Sequence, residues 1–382
     1  MQREKERSDM SFAPDRVIND NAVDWDKLRG SSVLITGGTG LVGSVLARTL
    51  LYANKKTGAD IRITLAVRNM DKARRLYGGA AGVTLIQYDL ASPGAEASLS
   101  PSPAYPGIEG PFDYIIHCAA VTSSAMMVNS PVETIELAYN GSSTMLRTAR
   151  DNNVKGMVYI SSMEVYGQTD ESMNPVTEEQ LGYVDLRNVR SSYQESKRIC
   201  ELLCTSYASE YGVRVVSARL AQTFGAGVSP EEGRVFAQFA RSIIEGRDIV
   251  LHTDGMSVGN YCATEDMAAA VLILLTRGVP GEAYNVANED NSRTICEMAQ
   301  LCAEKIAEGR IGVVFDIPEK SSFGYAPPTK LRLSSAKLRG LGWEPQYTLE
   351  DMYRAMITYW DSCAAEAVGE GDGDCVRAAE DS

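Results

Sequence analysis

The stretch Val33–Leu46 reads VLITGGTGLVGSVL and decides the fold of the chain. It starts as a short β-branched run, passes through glycines at intervals of three residues, Gly37, Gly40 and Gly43, and ends in an apolar helical pattern. In such a strand–turn–helix unit the first glycine permits a tight turn, the second lets backbone N–H groups approach a pyrophosphate, and the third lets the helix pack on the strand. Because strand and helix are both recognisable, the stretch predicts a dinucleotide-binding turn rather than a plain glycine-rich loop.

Apolar strands alternate with helical patterns along the rest of the first 220 residues. Runs such as Tyr114–Ile116 and Met157–Ile160 are apolar throughout, which is typical of parallel strands covered on both faces. The sequence therefore predicts an α/β fold, a doubly wound parallel sheet of the Rossmann type with a smaller mixed C-terminal substrate lobe. The predicted strands are 33–36, 61–67, 83–88, 114–118, 156–161 and 213–219, and the predicted helices are 41–51, 71–76, 131–151 and 193–211.

The pattern divides the chain into four parts. Beyond residue 220 the alternation loosens, and the pattern predicts helices 233–245, 265–276 and 294–307 and strands 249–251 and 283–286. The predicted parts are a flexible N-terminal lead over 1–30, a dinucleotide-binding domain over 31–220 that takes later strands from about 258–290, a substrate-binding lobe over 221–257 and 291–362, and an acidic disordered tail over 363–382. Within the lead, Val23, Trp25 and Leu28 are expected to dock on the body.

Composition excludes several classes of function. The 382 residues are 44% hydrophobic, enough for a sizeable core, and the formal net charge of −13 argues against binding to nucleic acid or anionic membranes. The charged start MQREKERSDM is followed by no apolar segment, so we expect a soluble cytoplasmic protein. Eight cysteines without a CxxC pair and only two histidines, His117 and His252, predict neither a disulfide framework nor a metal site.

The end of the second predicted strand bears on cofactor choice. An acid at this point would hold the ribose hydroxyls of NAD, whereas a base would accept the 2′-phosphate of NADP. Here the strand ends in Val67–Asn69 with Arg68 and no acid, so NADP is favoured over NAD, unless these charges are only solvated. Further basic residues follow at Lys72, Arg74 and Arg75. Asp89 and Leu90, after the third strand, are expected at the adenine edge.

A second constellation lies far downstream, in Tyr193–Lys197, which reads YQESK. Residues four apart share a helix face, so Tyr193 and Lys197 point the same way. A free phenol has a pKa of about 10, and a nearby ammonium lowers it towards the range in which it can exchange a proton. Ser161 and Ser162 lie at the end of a predicted strand, at the edge where ligands of α/β sheets bind.

Together these segments resemble the extended short-chain dehydrogenase/reductases, in particular the NAD(P)-dependent nucleotide-sugar epimerase/dehydratase family. The resemblance spans about residues 30 to 360. The matching segments are TGGTGLVGS at 36–44, HCAA at 117–120, SSMEVYG at 161–167, YQESK at 193–197 and LGW at 341–343.

The resemblance implies roles for individual residues. Tyr193 would be the general base, Lys197 would bind the nicotinamide ribose and lower the pKa of the tyrosine, and Ser162 would contact the substrate hydroxyl. The implied reaction is a transient hydride transfer from a sugar carbon to the nicotinamide. The expected cofactor contacts are Gly37, Gly40, Leu41, Val42, Gly43, Arg68, Asp89, Leu90, Ala119, Tyr193 and Lys197.

Glu164 separates branches of the family. Sugar dehydratases and decarboxylases are similar in having a glutamate here as an acid/base on the sugar, whereas simple 4-epimerases usually lack it. Dehydratases acting on thymidine-linked glucose add an aspartate just before, where this chain has Met163. The alternative is that Glu164 only caps local backbone.

Two departures from the family pattern concern the substrate. An arginine that often holds the nucleotide diphosphate is replaced by Gly259, and the usual aspartate before the LGW segment is replaced by Ser334. The missing arginine weakens a UDP-glucuronate decarboxylase interpretation, although 223–225 and 233–235 resemble that group. A nucleotide diphosphate would then need other cations, for which Arg234, Lys330 and Arg332 are candidates. The alternative is that these three residues are surface charges. The expected substrate contacts are Thr122, Ser162, Gln222, Arg234, Lys330 and Arg332.

The sequence thus predicts an NAD(P)-dependent epimerase or dehydratase acting on a nucleotide-activated sugar. The alternative is an NADPH-dependent carbonyl reductase of the dihydroflavonol-reductase type, suggested by Val67–Asn69. A cofactor-sensing protein without activity is disfavoured, because such proteins typically lose the tyrosine or the lysine. The resemblance also suggests a homodimer through helices near 131–151 and 193–211, although apolar faces there fit an ordinary core as well.

Overall fold

A seven-stranded parallel sheet is the centre of the computed structural model, which describes residues 14–89, 110–317 and 330–369. The strands are β1 (Ser32–Thr36), β2 (Arg62–Val67), β3 (Val83–Gln87), β4 (Tyr114–His117), β5 (Gly156–Ser162), β6 (Val215–Leu220), β7 (Gln222–Phe224), β8 (Ile249–Leu251), β9 (Val258–Ala263), β10 (Ala283–Val286), β11 (Asn288–Thr294) and β12 (Val313–Phe315). The helices are α1 (Asp15–Ile18), α2 (Trp25–Leu28), α3 (Leu41–Thr57), α4 (Met70–Tyr77), α5 (Ser124–Asn129), α6 (Pro131–Asp151), α7 (Ser191–Tyr211), α8 (Val235–Glu245), α9 (Thr264–Arg277), α10 (Ile295–Leu301), α11 (Ala336–Arg339) and α12 (Leu349–Gly369).

The order of the central sheet is β10-β6-β5-β4-β1-β2-β3, with all neighbours parallel. From β1 the chain proceeds outward through β2 to β3, and it then returns to the other side of β1 at β4. This reversal leaves a crevice at the carboxyl ends of β1 and β4, where ligands of open α/β sheets bind. The predicted doubly wound fold is confirmed.

The central strands are buried on both faces, which explains their unbroken apolar runs. In β1, Val33 and Ile35 belong to the core under α3 and α9, whereas Leu34 belongs to the core under α6 and α7. This alternation follows from the two-residue period of a strand. Burying each of these side chains contributes about 1.5–3 kcal/mol, so the two helical layers hold the sheet edge that carries the site.

The C-terminal lobe has its own small sheets and core. One sheet has the order β11-β9-β7, and the other pairs β12 with β8. Within the range 258–290, β10 joins the large sheet beside β6, whereas β9 pairs with β7 and β11. Side-chain burial decides this, because Tyr261 of β9 packs in the core of the lobe with Phe224 and Phe236.

The ends of the described chain pack on this body. Val23 and Leu28 are buried and Trp25 packs against the main core, as predicted for the docking part of the lead. Residues 1–13 lie outside the described part. The helix α12 continues past Cys363 to Gly369, and residues 370–382 of the predicted tail lie outside the described part. Trp360 of this helix is buried in the lobe, and its indole N–H donates to the carbonyl of Val228 at 2.8 Å.

Neither a metal site nor a membrane span is found in the part of the chain that the structure describes. There, no group of three His, Cys, Asp or Glu side chains is placed to hold an ion. None of the described helices combines the length and the apolar character that crossing a bilayer requires.

Candidate active site

The glycine turn between β1 and α3 forms one wall of the site. Gly37 has a φ of +69°, and a Cβ there would lie 3.0 Å from the backbone that follows β4. A Cβ on Gly43 would collide with the carbonyl oxygen of Gly37. Gly40 caps α3 without any side-chain hydrogen bond, so the first-turn N–H groups, including those of Leu41 and Val42, are left for an anion. The turn therefore fits a dinucleotide pyrophosphate.

Polar contacts fix this turn at the crevice of the sheet. Thr36 Oγ1 lies 2.7 Å from His117 Nδ1 and accepts a hydrogen bond from the Ala119 N–H at 3.1 Å, which joins the ends of β1 and β4. Burial lowers the pKa of His117 to about 3, so the ring is neutral at physiological pH. From α4, the Tyr77 hydroxyl donates to the Gly38 carbonyl at 2.7 Å. Ala119, an expected cofactor contact, thus lies directly against the turn.

Basic residues mark the far end of the crevice, after β2. Arg68 is exposed and makes no hydrogen bond or ion pair within the described ranges. Asn69 caps α4 by accepting from the Lys72 N–H at 2.8 Å. Arg74 is paired with Asp71 at 3.0 Å on the surface of the same helix. Arg68 is thus an exposed arginine directly after β2, and no partner for its guanidinium is found among the described residues.

Tyr193 and Lys197 lie in the first two turns of α7 and face the end of β5. The Lys197 ammonium donates to the Ile160 carbonyl at 2.7 Å and lies 5.7 Å from the centroid of the Tyr193 ring. Burial lowers the pKa of Lys197. Ser162, the last residue of β5, hydrogen-bonds to the Tyr193 phenol. The structure thus brings together the three residues that the sequence singled out.

The pKa of Tyr193 differs from the sequence-based expectation. Burial raises it to about 12, and the Glu164 carboxylate raises it as well. The hydrogen bond from Ser162 and the positive charges of Arg190 and Arg234 act in the opposite direction. The expectation of a lowered pKa is therefore wrong for this arrangement, because desolvation of the phenolate outweighs the nearby positive charges.

Glu164 lies one turn beyond Ser162, in the 3₁₀ segment Met163–Tyr166. Its N–H donates to Ser162 Oγ at 3.2 Å, while its carboxylate is held by Arg190, whose Nη2 lies 3.1 Å from Oε1 and 3.0 Å from Oε2. Glu164 is therefore not the backbone cap considered as an alternative. Arg190 was missed by the sequence analysis, although its position three residues before Tyr193 places both on one helix face.

A buried ion pair between Glu201 and Arg219 lies next to this site. Glu201 accepts from Ser161 Oγ at 2.5 Å and from Arg219 Nη2 at 2.7 Å. Arg219 also donates through Nη1 to the Tyr166 hydroxyl at 3.0 Å. Glu201 lies on α7, one turn after Lys197, and its partners Ser161 and Arg219 lie on β5 and β6. The pair therefore connects these three elements. The sequence signal for it is a charged residue within the otherwise apolar strand β6.

Arg234 is the expected substrate cation that the structure brings towards Tyr193. Its guanidinium pairs with Glu232 at 2.7 Å and lies 4.9 Å from the centroid of the Phe236 ring. Its positive charge acts to lower the pKa of Tyr193 on α7.

Lys330 and Arg332 make contacts with the segment 171–174. The Lys330 ammonium pairs with Glu171 at 2.9 Å, and its carbonyl accepts from the Asn174 side chain at 2.6 Å. The Arg332 N–H donates to the same asparagine at 2.7 Å. In the described ranges neither side chain has a hydrogen bond or ion pair with Ser162 or Tyr193.

The remaining predicted contacts surround the crevice. Thr122 is exposed between β4 and α5, and Gln222 is half-buried at the start of β7. Asp89 is half-buried just after β3. Leu90 lies outside the described residues.

The structure gives a reason for the glycine at position 259, where the family pattern often has an arginine. A Cβ at this position would lie 2.6 Å from Cζ of Tyr261, which occupies the same face of β9. The Tyr261 ring packs edge-on against Phe224, with 5.8 Å between the ring centroids. An arginine at position 259 would therefore displace a core aromatic residue, so an anion contact must come from another element.

Comparisons with known proteins agree with this geometry. The model of the NAD dependent epimerase/dehydratase family matches residues 33–287. The chain is 28% identical over 331 residues to UDP-glucuronic acid decarboxylase 1 of Danio rerio, which covers 86% of this chain and 72% of that protein. It is 29% identical over 288 residues to GDP-6-deoxy-D-mannose reductase of Pseudomonas aeruginosa, which covers 73% and 88% respectively.

Among solved structures, the epimerase Mth375 of Methanothermobacter thermautotrophicus superposes with a TM-score of 0.72 at 22% identity, over 91% of this chain and 97% of that one. At this identity the likeness supports the fold alone.

Proposed function

The chain belongs to the NAD-dependent epimerase/dehydratase family, and on that premise we propose that it transiently oxidises a hydroxyl of a nucleotide-activated sugar. It is an NAD(P)-dependent enzyme of the epimerase/dehydratase type. The observation that carries the proposal is the meeting of Ser162, Glu164 and Tyr193 at the carboxyl edge of the sheet, beside a glycine turn shaped for a dinucleotide.

The first half of the reaction depends on Tyr193 and its neighbours. A nicotinamide dinucleotide whose pyrophosphate is held by the glycine turn would supply the hydride acceptor. Tyr193 takes the proton of the sugar hydroxyl, and Ser162 donates a hydrogen bond to the same oxygen. Because burial raises the pKa of the phenol, the positive charges of Arg190 and Arg234 are needed to favour its deprotonated form. Lys197, held by the Ile160 carbonyl, is placed for the nicotinamide ribose.

Glu164 supplies a second acid/base group. After oxidation, the carbon next to the new carbonyl becomes acidic, and a carboxylate whose charge acts on Tyr193 can remove or return the proton of that carbon. A simple 4-epimerase needs no such group. The ion pair with Arg190 fixes the carboxylate towards the site, which favours elimination or decarboxylation over plain epimerisation.

The decisive experiment is to incubate the purified enzyme with a panel of nucleotide sugars and measure product mass and cofactor absorbance. Loss of water or of CO₂ with no net change in cofactor supports the proposal. Unchanged mass with an altered sugar would indicate epimerisation. Stoichiometric oxidation of NADPH would instead support the carbonyl-reductase alternative, which the family match disfavours.

NADP is the proposed cofactor in preference to NAD. The support is Arg68, which is exposed at the end of β2 where a 2′-phosphate would lie, with no acid beside it.

A homodimer is proposed through α6 and α7. Large apolar side chains are exposed at helical spacing on both: Val132, Ile135 and Tyr139 on α6, and Ile199 and Leu202 on α7. Contiguous apolar patches of this kind are typical of interfaces. Light scattering after gel filtration should give twice the chain mass, and Leu202→Glu should give the monomer mass. A monomer in the unmodified protein would contradict the proposal.

The cytoplasm is the proposed compartment. Support comes from Cys200 and Cys204, which are buried and form no disulfide in the part of the chain that the structure describes. Free thiols persist in a reducing environment.

A further inference from the structure

Arg190 has a donor that no residue of the site uses. It is the residue that caps α7, and its guanidinium carbon lies 5.9 Å from the centroid of the Tyr193 ring. Nη2 serves the Glu164 carboxylate, whereas Nη1 is buried and has no hydrogen-bond partner among the described residues. A buried guanidinium N–H group without an acceptor is unfavourable, so such a group beside a reacting tyrosine points to a ligand atom.

The charge around Tyr193 indicates what kind of atom this is. The cations that face the crevice are Arg190, Lys197 and Arg234. Their carboxylate partners are Glu164 and Glu232, and Lys197 donates to a carbonyl instead. One positive charge is therefore uncompensated, and the site accommodates a negative group.

The position of that group follows from the proposed chemistry. In the proposed function Tyr193 exchanges a proton with a hydroxyl of the sugar, and the Arg190 guanidinium carbon lies 5.9 Å from the centroid of the Tyr193 ring, so a group within reach of Arg190 is assigned to the reacting sugar. Position 259 cannot supply an arginine, because Tyr261 fills its side-chain space. Arg190, whose Nη1 has no acceptor among the described residues, is thus a guanidinium available to the sugar, and the geometry of a guanidinium matches that of a planar carboxylate.

We infer that Arg190 Nη1 binds a carboxylate on the sugar ring, so that the enzyme selects nucleotide-linked sugar acids over the corresponding neutral sugars. This inference rests on the proposed function and names its substrate class. Arg190 then lies between two carboxylates, that of Glu164 and that of the substrate, and holds them in a fixed relation to the phenol.

The test compares UDP-glucuronic acid with UDP-glucose, which differ in charge at a single carbon of the sugar. Calorimetric titration of the cofactor-loaded enzyme should give tighter binding of the acid. Arg190→Gln should weaken binding of the acid by about 30-fold or more while UDP-glucose changes by less than about 3-fold, because truncating a buried charge partner costs at least 2 kcal/mol. Arg190→Lys should restore part of the loss.

The matched variant Glu164→Gln separates this role from that of the carboxylate pair. It removes the acid/base group but keeps the guanidinium, so the preference for the acid should persist. Circular dichroism and the thermal midpoint verify that each variant is folded. If Arg190→Gln weakened both sugars equally, or if the unmodified enzyme bound them equally, the inference would be overturned.

The proposed function is judged by a different readout, the appearance of reduced cofactor in a single turnover. An enzyme that binds the acid through Arg190 but reduces no cofactor contradicts the proposed function and supports the inference. An enzyme that oxidises UDP-glucose as readily as the acid supports the function and overturns the inference.

Discussion

At the scale of single residues, the site depends on an unfavourably buried phenol. Tyr193 is surrounded by groups with opposite effects on its pKa: burial and Glu164 raise it, and Ser162, Arg190 and Arg234 lower it. A base that is protonated at rest but lies among cations gains reactivity only when those cations are correctly placed. The arrangement therefore couples catalysis to the position of Arg190 and Ser162.

Replacing the phenol tests this directly. Tyr193→Phe should lower kcat by about 100-fold or more, because general acid/base catalysis typically contributes 10²–10⁴-fold. Cofactor affinity, measured by fluorescence titration, should change little. Tyr183→Phe, at an exposed tyrosine, is the control and should behave as the unmodified enzyme. Full turnover in Tyr193→Phe would rule out its role as the base.

Arg68 decides between the two dinucleotides. Arg68→Ala should weaken NADP binding by about 10-fold or more and leave NAD nearly unchanged, because a charge-assisted hydrogen bond to the 2′-phosphate contributes roughly 1.5–3 kcal/mol. Dissociation constants for both cofactors provide the measurement. Arg74→Ala, at an arginine already paired with Asp71, is the matched control. Equal losses for NAD and NADP would show that Arg68 does not recognise the phosphate.

At the scale of elements, a charged pair connects β5, β6 and α7 behind the catalytic residues. Glu201 and Arg219 are nearly inaccessible, with 11% and 7% of their side chains exposed. Ser161 and Tyr166 join the same network and belong to the segment that carries Ser162 and Glu164. The pair therefore fixes the edge of the sheet that carries the candidate catalytic residues against α7.

Breaking this pair should destabilise the fold. Glu201→Gln leaves the Arg219 charge buried without compensation, and we expect the free energy of unfolding to fall by about 3 kcal/mol. Urea denaturation provides the measurement. Glu350→Gln removes a surface partner of Arg354 and should change the same quantity by less than about 1 kcal/mol. A similarly small change for Glu201→Gln would show that the pair does not stabilise the fold.

At the scale of the whole molecule, Asp266 connects the main sheet with the C-terminal segment. It lies in the first turn of α9 and accepts hydrogen bonds from the N–H groups of Gln346 at 2.8 Å and Tyr347 at 3.2 Å. Burial nevertheless raises its pKa to about 7, against an ordinary value of 3.8. The contact that joins the two parts therefore carries a desolvation cost when it is ionised.

This cost predicts a pH dependence of stability. Because the folded state holds the Asp266 proton more tightly than the unfolded chain, the free energy of unfolding should fall as pH rises from about 4 to about 7, and this contribution is then constant. Urea denaturation at several pH values should show a shallower fall for Asp266→Asn than for the unmodified protein. Asp113→Asn, at a carboxyl whose pKa is lowered, should not change the slope in this window. Parallel curves for Asp266→Asn would contradict the assignment.

The sequence by itself determined the layered architecture and the principal catalytic candidates. Local rules suffice for these, because the glycine turn after β1 and the spacing of Tyr193 and Lys197 depend on neighbours in the chain. The strand periodicity of β1 and the helical spacing in α7 likewise need no distant contact. The fold class and the placement of these residues at one sheet edge could therefore be predicted.

Only the tertiary structure decided which side chains and strands pair with one another. Three contacts join segments that are far apart in the chain. Arg190 pairs with Glu164, the charge of Arg234 acts on Tyr193 whereas Lys330 pairs with Glu171, and β9 pairs within the small sheet. The raised pKa of Tyr193 also depends on burial by other elements. Desolvation and charge pairing are set by distance in space, which a linear pattern of residues does not encode.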